Sequence, residues 1–193
     1  MSGWWVTFQS AQVERIAKKW FSALGKVEKI PTSIVPTYDY KIDRVKLLIE
    51  VKWINSENRG TKVSPGMWVT KQLTDEDLFH KMLAKVMSLQ KDASNYPSYY
   101  RGGIIFWDTI FDFLQHPLTH TNFTATFPFD YEIFDYDWQY LILCEEPSVG
   151  DRPPAFIYIK KRELIEPLKK VFEKQYYIMY VLTHDQFVAI IER

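Results

Sequence analysis

The segment from Leu47 to Trp53 constrains the fold of this chain more than any other, because its side chains divide into two sets by type. In an extended strand, successive side chains point to opposite faces of the sheet. One set is wholly apolar and consists of Leu47, Ile49, Val51 and Trp53. The other set carries Glu50 and Lys52. We therefore predict a β-strand whose apolar face packs on the core, and whose charged face has a partner, because an unpaired buried charge is costly.

An acidic residue precedes this strand by the length of a β-hairpin. A chain reversal at Asp43-Arg44 would place Asp39 diagonal to Glu50, with Ile42 opposite Val45, Tyr40 opposite Leu47 and Asp39 opposite Leu48. Diagonal neighbours are roughly 7 to 8 Å apart, so both carboxylates can lean toward one Mg²⁺. A slip of one residue would carry Asp39 to the opposite face. The segment predicts a metal site, and the alternative is that Glu50 and Lys52 are solvated charges on an exposed strand.

These residues, with the segment before them, resemble the PD-(D/E)xK nuclease superfamily, and within it the archaeal Holliday-junction resolvases. The resemblance covers roughly residues 10 to 106. It begins at a helix opened by Gln12-Val13-Glu14-Arg15-Ile16-Ala17, continues through a glycine exit at Gly25, and includes Asp39 and Glu50-x-Lys52. In that family the aspartate usually follows a proline directly, whereas here Pro36 stands three residues before Asp39.

The resemblance implies a role for each matching residue. Asp39, Glu50 and the backbone carbonyl of Val51 would bind Mg²⁺ or Mn²⁺. Lys52 would be catalytic, because it would position the attacking water or stabilise the phosphate. Glu14 would also be catalytic, through a second metal ion or a metal-bound water. Alternatively, Glu14 forms an ion pair with Lys18, which lies one helical turn further on.

The rest of the chain predicts an α/β (α+β) protein. We expect a helix from Ser10, as the N-cap, to Leu24, a loop over 54–65, a short strand over 67–70, a helix starting at Thr74 and a buried strand from Gly102 to Trp107. Further strands are expected over 138–144, 155–159 and 176–182, with helices over 109–115 and 164–174. Residues 187–191 form either another strand or a terminal helix. With the resemblance, this order implies one domain over residues 1–193. It has a restriction-endonuclease-like core over 10–107, with a mixed central sheet flanked by helices, and a C-terminal α/β elaboration over 108–193.

Charge is divided unevenly along a chain whose formal net charge is zero. Residues 1–102 hold 16 Lys and Arg against 10 Asp and Glu, and residues 103–193 hold 8 against 14. Such asymmetry indicates an interaction surface, and the positive half carries the predicted metal site. We expect Lys41, Lys46 and Lys71 to contact the phosphates of DNA. The alternative is that the two halves merely have differently charged solvated helices.

Other features concern the compartment and the partners. The chain has one cysteine, Cys144, no secretory leader and no apolar run of the roughly 18 residues that a membrane span needs, so we expect a cytoplasmic protein with no membrane contact. The segment 127–138 is rich in Phe, Tyr, Trp and acidic residues. It either covers the core or forms a protein interface, and a homodimer would suit an enzyme that cuts two strands symmetrically.

Taken together, the sequence favours a Mg²⁺- or Mn²⁺-dependent endonuclease that hydrolyses DNA, with branched or junction DNA as a possible substrate. Two alternatives stay open. The chain keeps a nuclease-like fold only to bind nucleic acid or a protein, or it is a small structural or inhibitory protein that meets its partner through the segment 127–138.

Overall fold

The computed structural model of the chain describes residues 2–32, 34, 36–54, 57–58, 62–64, 67–68, 71–72, 81, 83–107, 136–145, 154–173 and 178–183. Its helices are α1 (Ser2–Phe21), α2 (residues 83–87) and α3 (Ile165–Phe172), with 3-10 turns at Ser22–Leu24 and Arg162–Leu164. The strands are β1 (Glu28–Lys29), β2 (Tyr40–Ile42), β3 (Leu47–Ile54), β4 (Glu57–Asn58), β5 (Lys62–Ser64), β6 (Met67–Trp68), β7 (Lys71–Gln72), β8 (Tyr100–Trp107), β9 (Tyr140–Glu145), β10 (Pro154–Ile159) and β11 (Ile178–Thr183). None of the described helices is long and apolar enough to cross a bilayer.

Seven of these strands form one mixed sheet in the order β1-β2-β3-β8-β9-β10-β11. Strands β1, β2 and β3 are antiparallel to one another, β3, β8 and β9 run parallel, β10 is antiparallel to β9, and β11 is parallel to β10. The strands between β3 and β8 form two separate pairs, β4 with β7 and β5 with β6. The predicted mixed α/β architecture with a central sheet and flanking helices is confirmed.

Helices α1 and α3 cover one face of the sheet. Trp20 of α1 contacts both the sheet and the second helix, because its ring lies 5.3 Å from that of Phe106 in β8 and 5.5 Å from that of Phe172 in α3. The sheet side chains on this face include Leu47, Ile49, Val51, Ile104, Ile142 and Ile157. The predicted apolar set of β3 therefore forms part of the main core.

The other face of the sheet is covered near β3 by the chain that follows α2. A smaller cluster contains the buried Ile30, Tyr38 and Leu48, with Ala93, Tyr96 and Tyr99 packed against it. As a result β3 is buried on both faces from Leu47 to Val51, and Glu50 is only 2 % exposed. The alternative that Glu50 lies on a solvated strand is therefore wrong, because the segment after α2 shields that face from water.

A pair of glycines in β8 allows close packing beside Glu50. A Cβ atom on Gly102 would lie 2.1 Å from the carbonyl oxygen of Tyr140, and one on Gly103 would lie 2.4 Å from that of Glu50. The ring of Tyr140 occupies the space left by Gly102, and its buried hydroxyl donates a 2.7 Å hydrogen bond to the Leu48 carbonyl. These contacts fix β3, β8 and β9 relative to one another.

Several predicted element boundaries are wrong. Helix α1 begins at Ser2 rather than at Ser10, since serine is only moderately unfavourable inside a helix and the residues before it contain no proline. The expected loop over 54–65 contains β4 and β5, whereas the strand expected over 67–70 is described only at Met67–Trp68. Strands of two or three residues owe their form to the strand they pair with, which no local pattern reveals.

The other expected elements agree within a few residues or fall outside the described chain. Strands β8, β9, β10 and β11 and helix α3 lie where the sequence predicted them. The helix expected from Thr74 is described at residue 81 and over 83–87. The helix expected over 109–115, the strand or terminal helix expected over 187–191 and most of the segment 127–138, on which the homodimer prediction rests, lie outside the described residues.

Candidate active site

The β2–β3 hairpin places Asp39 beside Glu50. Tyr40 pairs with Ile49 and Ile42 with Leu47, so the same register brings Asp39 directly opposite Glu50. The turn has four residues, Asp43 to Lys46, rather than the predicted two, and Lys46 ends it with a φ of 51°. The register therefore differs from the expected one by two residues. Because two is the side-chain repeat of a strand, Asp39 stays on the Glu50 face.

Asp39 is fixed by the backbone of the neighbouring strand. The N–H of Val51 donates a 2.8 Å hydrogen bond to Oδ2 of Asp39. Strand β2 begins at Tyr40, one residue later, so the Asp39 side chain accepts a bond that a backbone carbonyl would take in a longer ladder. One carboxylate oxygen of Asp39 is thereby held next to β3, just before the start of β2.

The Val51 carbonyl faces the same edge. The N–H of Tyr100 donates a hydrogen bond to the carbonyl of Lys46. The backbone N–H and C=O groups of the even-numbered residues of β3 therefore point toward β8, which is its parallel neighbour. In a strand the N–H and C=O of one residue point to the same side, and successive residues alternate. The Val51 carbonyl therefore points away from β8, as its N–H does, toward the end of β2 where Asp39 lies.

Glu50 is the one buried acidic side chain among the described residues, and it is incompletely bonded. Its Oε2 atom is buried without a hydrogen-bond partner in the described structure. Burial is the largest cause that raises the pKa of this carboxyl group above its usual range, and the negative charge of Asp39 is the next. A buried carboxylate oxygen without a partner, on a residue directly across the hairpin from a second acidic residue, is the arrangement that a bound cation would stabilise.

Two lysines contact the other oxygen of Glu50. The Nζ of Lys52 lies within ion-pair distance of Oε1, as the shared strand face predicted. The Nζ of Lys91 lies 3.4 Å from the same oxygen and comes from the segment after α2. Both ammonium groups lower the pKa of Glu50, against the larger opposing effect of burial. Sequence reasoning missed Lys91, since nothing in its local sequence signals a contact with a residue 41 positions earlier.

Further cations extend from this cluster along α2. The pKa of the half-buried Lys85 is lowered, chiefly by burial and then by the positive charges of Lys52 and Lys81. Several ammonium groups therefore lie on the α2 side of Asp39 and Glu50. Because these positive charges repel one another, an anionic ligand would be favoured there. In the sequence, these cations are indicated only by the positive charge balance of the N-terminal half.

Glu14 has different partners from those expected. Its Oε2 accepts a 3.2 Å hydrogen bond from the Tyr40 hydroxyl and lies 3.6 Å from the Nζ of Lys29. The Tyr40 ring packs in the core under α1, on the sheet face opposite Glu50. The pKa of Tyr40 is raised to about 12, first by burial, then by Glu14 and also by Asp39. Tyr40 therefore lies between Glu14 and Asp39, and a catalytic role for Glu14 stays a prediction.

The three lysines expected to contact DNA differ in their surroundings. Lys41 forms ion pairs with Asp43 at 3.0 Å and with Glu28 at 3.4 Å. The Nζ of Lys46 lies over the ring of Tyr99, 4.9 Å from its centre. Lys71 pairs with Asn58 in the β4–β7 strand pair, and its side chain lies outside the described part of the chain.

The donor set suits Mg²⁺ better than metals that need several protein ligands. Within the described residues, no three His, Cys, Asp or Glu side chains lie close enough to hold an ion. Mg²⁺, however, is commonly bound by only one or two carboxylates and keeps several waters. Asp39, the unpartnered oxygen of Glu50 and the Val51 carbonyl supply hard oxygen donors of that kind.

Comparison with known proteins identifies no homologue. No protein-family model, no curated protein and no solved structure matches this chain.

Proposed function

We propose that this chain is a Mg²⁺- or Mn²⁺-dependent endonuclease that hydrolyses phosphodiester bonds of DNA, on a core of the restriction-endonuclease type. The observation that carries the proposal is the buried, unpartnered Oε2 of Glu50 directly across the hairpin from Asp39. If this position served only the stability of the strand, an apolar residue would be at least as favourable as a buried glutamate. A buried carboxylate that costs stability is characteristic of functional sites.

The order of strands supports the same proposal. An antiparallel hairpin carries Asp39 and Glu50 and leads, through α2, into the parallel strand β8. This arrangement accords with the superfamily that the sequence resembles.

Asp39, Glu50 and the Val51 carbonyl would hold the ion, which when bound polarises the phosphate and acidifies a coordinated water. Asp39 is held in position for this by the Val51 N–H. Lys52 and Lys91 keep charge balance around Glu50 and present ammonium groups where negative charge grows on the phosphate. The segment after α2 keeps bulk water from Glu50.

The proposal is tested by cleavage of a labelled four-way junction and of a linear duplex in Mg²⁺. We expect Asp39→Asn, Glu50→Gln and Lys52→Met each to lower the rate at least about a hundredfold. The control is Glu166→Gln, which removes an exposed carboxylate on α3. An Asp39→Asn protein that cuts as fast as the wild type would overturn the proposal.

A non-catalytic role has one observation in its favour. Glu50 already contacts two ammonium groups, so the cluster is partly neutralised by the chain's own side chains. If the purified protein binds DNA and cuts neither substrate in Mg²⁺ or Mn²⁺, binding without hydrolysis is the function.

A further inference from the structure

A cleft of about 580 Å³ opens on the sheet face that carries Glu50, between the segment after α2 and the start of β8. This volume lies within the range of roughly 300 to 1,000 Å³ that is typical of small-molecule sites. The side chains that line it include Lys91, Tyr96, Tyr99, Arg101, Gln139 and Lys161. The cleft is therefore polar and aromatic, and its lining has three cationic side chains and one carboxylate, that of Asp92.

The cleft adjoins the candidate active site through one shared residue. Lys91 lines the cleft, and its Nζ is also 3.4 Å from Oε1 of Glu50. Arg101 pairs with Leu48, two residues before Glu50 on the same face of β3. Two strand residues span roughly 7 Å, which is close to the spacing of successive phosphates in an extended nucleic-acid strand. A strand whose phosphate was held at a metal ion bound by Asp39 and Glu50 would therefore place its neighbouring nucleotide in the cleft.

The floor of the cleft is fixed by hydrogen bonds. The Gln139 side-chain oxygen accepts a 2.6 Å bond from the N–H of Arg101, and the Arg101 guanidinium bonds Asp137 at 2.8 Å. These bonds hold the start of β8 against the residue before β9. A fixed floor lowers the entropic cost of binding a ligand.

Two tyrosines supply the aromatic wall. The rings of Tyr96 and Tyr99 meet edge to face, with centres 5.3 Å apart and planes at 70°. Tyr99 is held further by Lys46 over its ring and by a 2.7 Å hydrogen bond from its hydroxyl to Asp43. Tyr96 remains half-buried at the cleft, so part of its ring surface meets the space that a ligand would fill.

Tyrosine rings beside cations recognise unpaired nucleotides. Base stacking on an aromatic side chain contributes about 1 to 3 kcal/mol per base and tolerates any sequence, while lysine and arginine neutralise the phosphates. A base within a duplex is stacked on its neighbours and cannot enter such a cleft. The chemistry of the lining therefore selects a single strand over paired DNA.

We infer that this cleft binds an unpaired nucleotide next to the scissile phosphate, with its base against Tyr96 and its phosphates near Lys91 and Lys161. The position relative to the cut rests on the proposed function, whereas binding itself does not require cleavage. The substrate of the endonuclease would then be DNA with an unpaired strand, such as a flap or an opened branch.

The test measures binding without metal, by fluorescence anisotropy of a 5′-labelled ten-nucleotide thymidylate strand in EDTA. A blunt duplex of the same length is the comparison, and a uridylate strand tests whether the sugar matters. We expect the single strand to bind at least about tenfold more tightly than the duplex. Equal binding of the uridylate strand would support the same site, because stacking and phosphate contacts do not involve the sugar hydroxyl.

Variants locate the binding in the cleft. We expect Tyr96→Ala to weaken single-strand binding about tenfold and Tyr96→Phe to retain it, because phenylalanine keeps the ring. Lys161→Glu should also weaken binding about tenfold and lower the salt dependence of the affinity by about one phosphate contact. The matched control is Lys19→Glu, the same charge change at an exposed position of α1 on the other side of the sheet.

The outcomes separate this inference from the proposed function. The inference is wrong if Lys161→Glu and Tyr96→Ala both bind the single strand as tightly as the wild type does, or if the wild type binds the duplex more tightly than the single strand. If Tyr96→Ala fails to fold, Lys161→Glu and Tyr96→Phe decide the matter. If single-strand binding depends on these residues but the protein cleaves no substrate, the cleft is confirmed as a binding site and the proposed nuclease activity is wrong.

Discussion

The Asp39 carboxylate completes the hydrogen bonding of β3 by accepting a 2.8 Å hydrogen bond from the Val51 N–H, just before β2 begins at Tyr40. A side chain therefore replaces a strand residue, and the adjacent Val51 carbonyl is left facing the same edge. Had β2 begun two residues earlier, at Tyr38, its backbone would have covered the carbonyl that we propose as a metal ligand. The candidate site therefore depends on β2 beginning no earlier than Tyr40.

Replacing Asp39 separates its structural role from its chemical one. Asp39→Asn keeps an oxygen acceptor for Val51, so the free energy of unfolding should change little. Asp39→Ala leaves a part-buried N–H unpaired and should cost about 1 to 3 kcal/mol. Urea unfolding checks both values. Equal stability of the alanine and asparagine variants would show that the hydrogen bond contributes nothing.

The raised pKa of Glu50 predicts how stability depends on pH. Because burial and Asp39 raise this pKa above the unfolded value, the folded state holds its proton more tightly than the unfolded chain does. Wild-type stability should therefore fall as pH rises from the unfolded pKa through the folded one. Glu50→Gln removes this loss, so its stability relative to the wild type should be greater at pH 8 than at pH 4.

Thermal unfolding at several pH values measures this difference. About 1 kcal/mol shifts the melting temperature of a chain of this size by roughly 2 to 4 °C, so the trend is measurable. The exposed Glu166→Gln variant should show no such trend. A constant difference between Glu50→Gln and the wild type from pH 4 to pH 8 would contradict the prediction.

Lys91 should act on the protonation of Glu50. Its positive charge lowers the Glu50 pKa, so Lys91→Met should raise that pKa further and move the acidic limb of the pH–rate profile to higher pH. We expect kcat/KM at pH 6 to fall about tenfold, with a smaller loss at pH 8. Lys91→Arg keeps the charge and should leave the limb in place. Carboxyl NMR of Glu50 provides a measurement that does not depend on cleavage.

Gly103 should tolerate no side chain. A Cβ atom there would lie 2.4 Å from the Glu50 carbonyl oxygen and 2.8 Å from Cδ2 of Leu89. The leucine can move, but the backbone oxygen belongs to the central strand pair. Gly103→Ala should therefore destabilise the protein by about 1 to 3 kcal/mol or more. Adding Leu89→Ala should relieve no more than part of the strain, and urea unfolding of the single and double variants is the measurement.

The local sequence determined which residues share a strand face. The alternation from Leu47 to Trp53 placed Glu50 and Lys52 together, and an even register kept Asp39 on the same side, because a strand repeats every two residues. The strands β8 to β11 were also predictable, since runs of apolar residues bounded by turn residues identify buried strands.

The tertiary structure decided the rest. The four-residue turn that ends at Lys46 set Asp39 directly opposite Glu50, although a two-residue turn was equally compatible with the pattern. Lys91 reached Glu50, and the cleft formed, only because the segment after α2 packs on the second face of β3. Short-range periodicity reports which way a side chain points, whereas the partner it meets depends on packing between segments far apart in the chain.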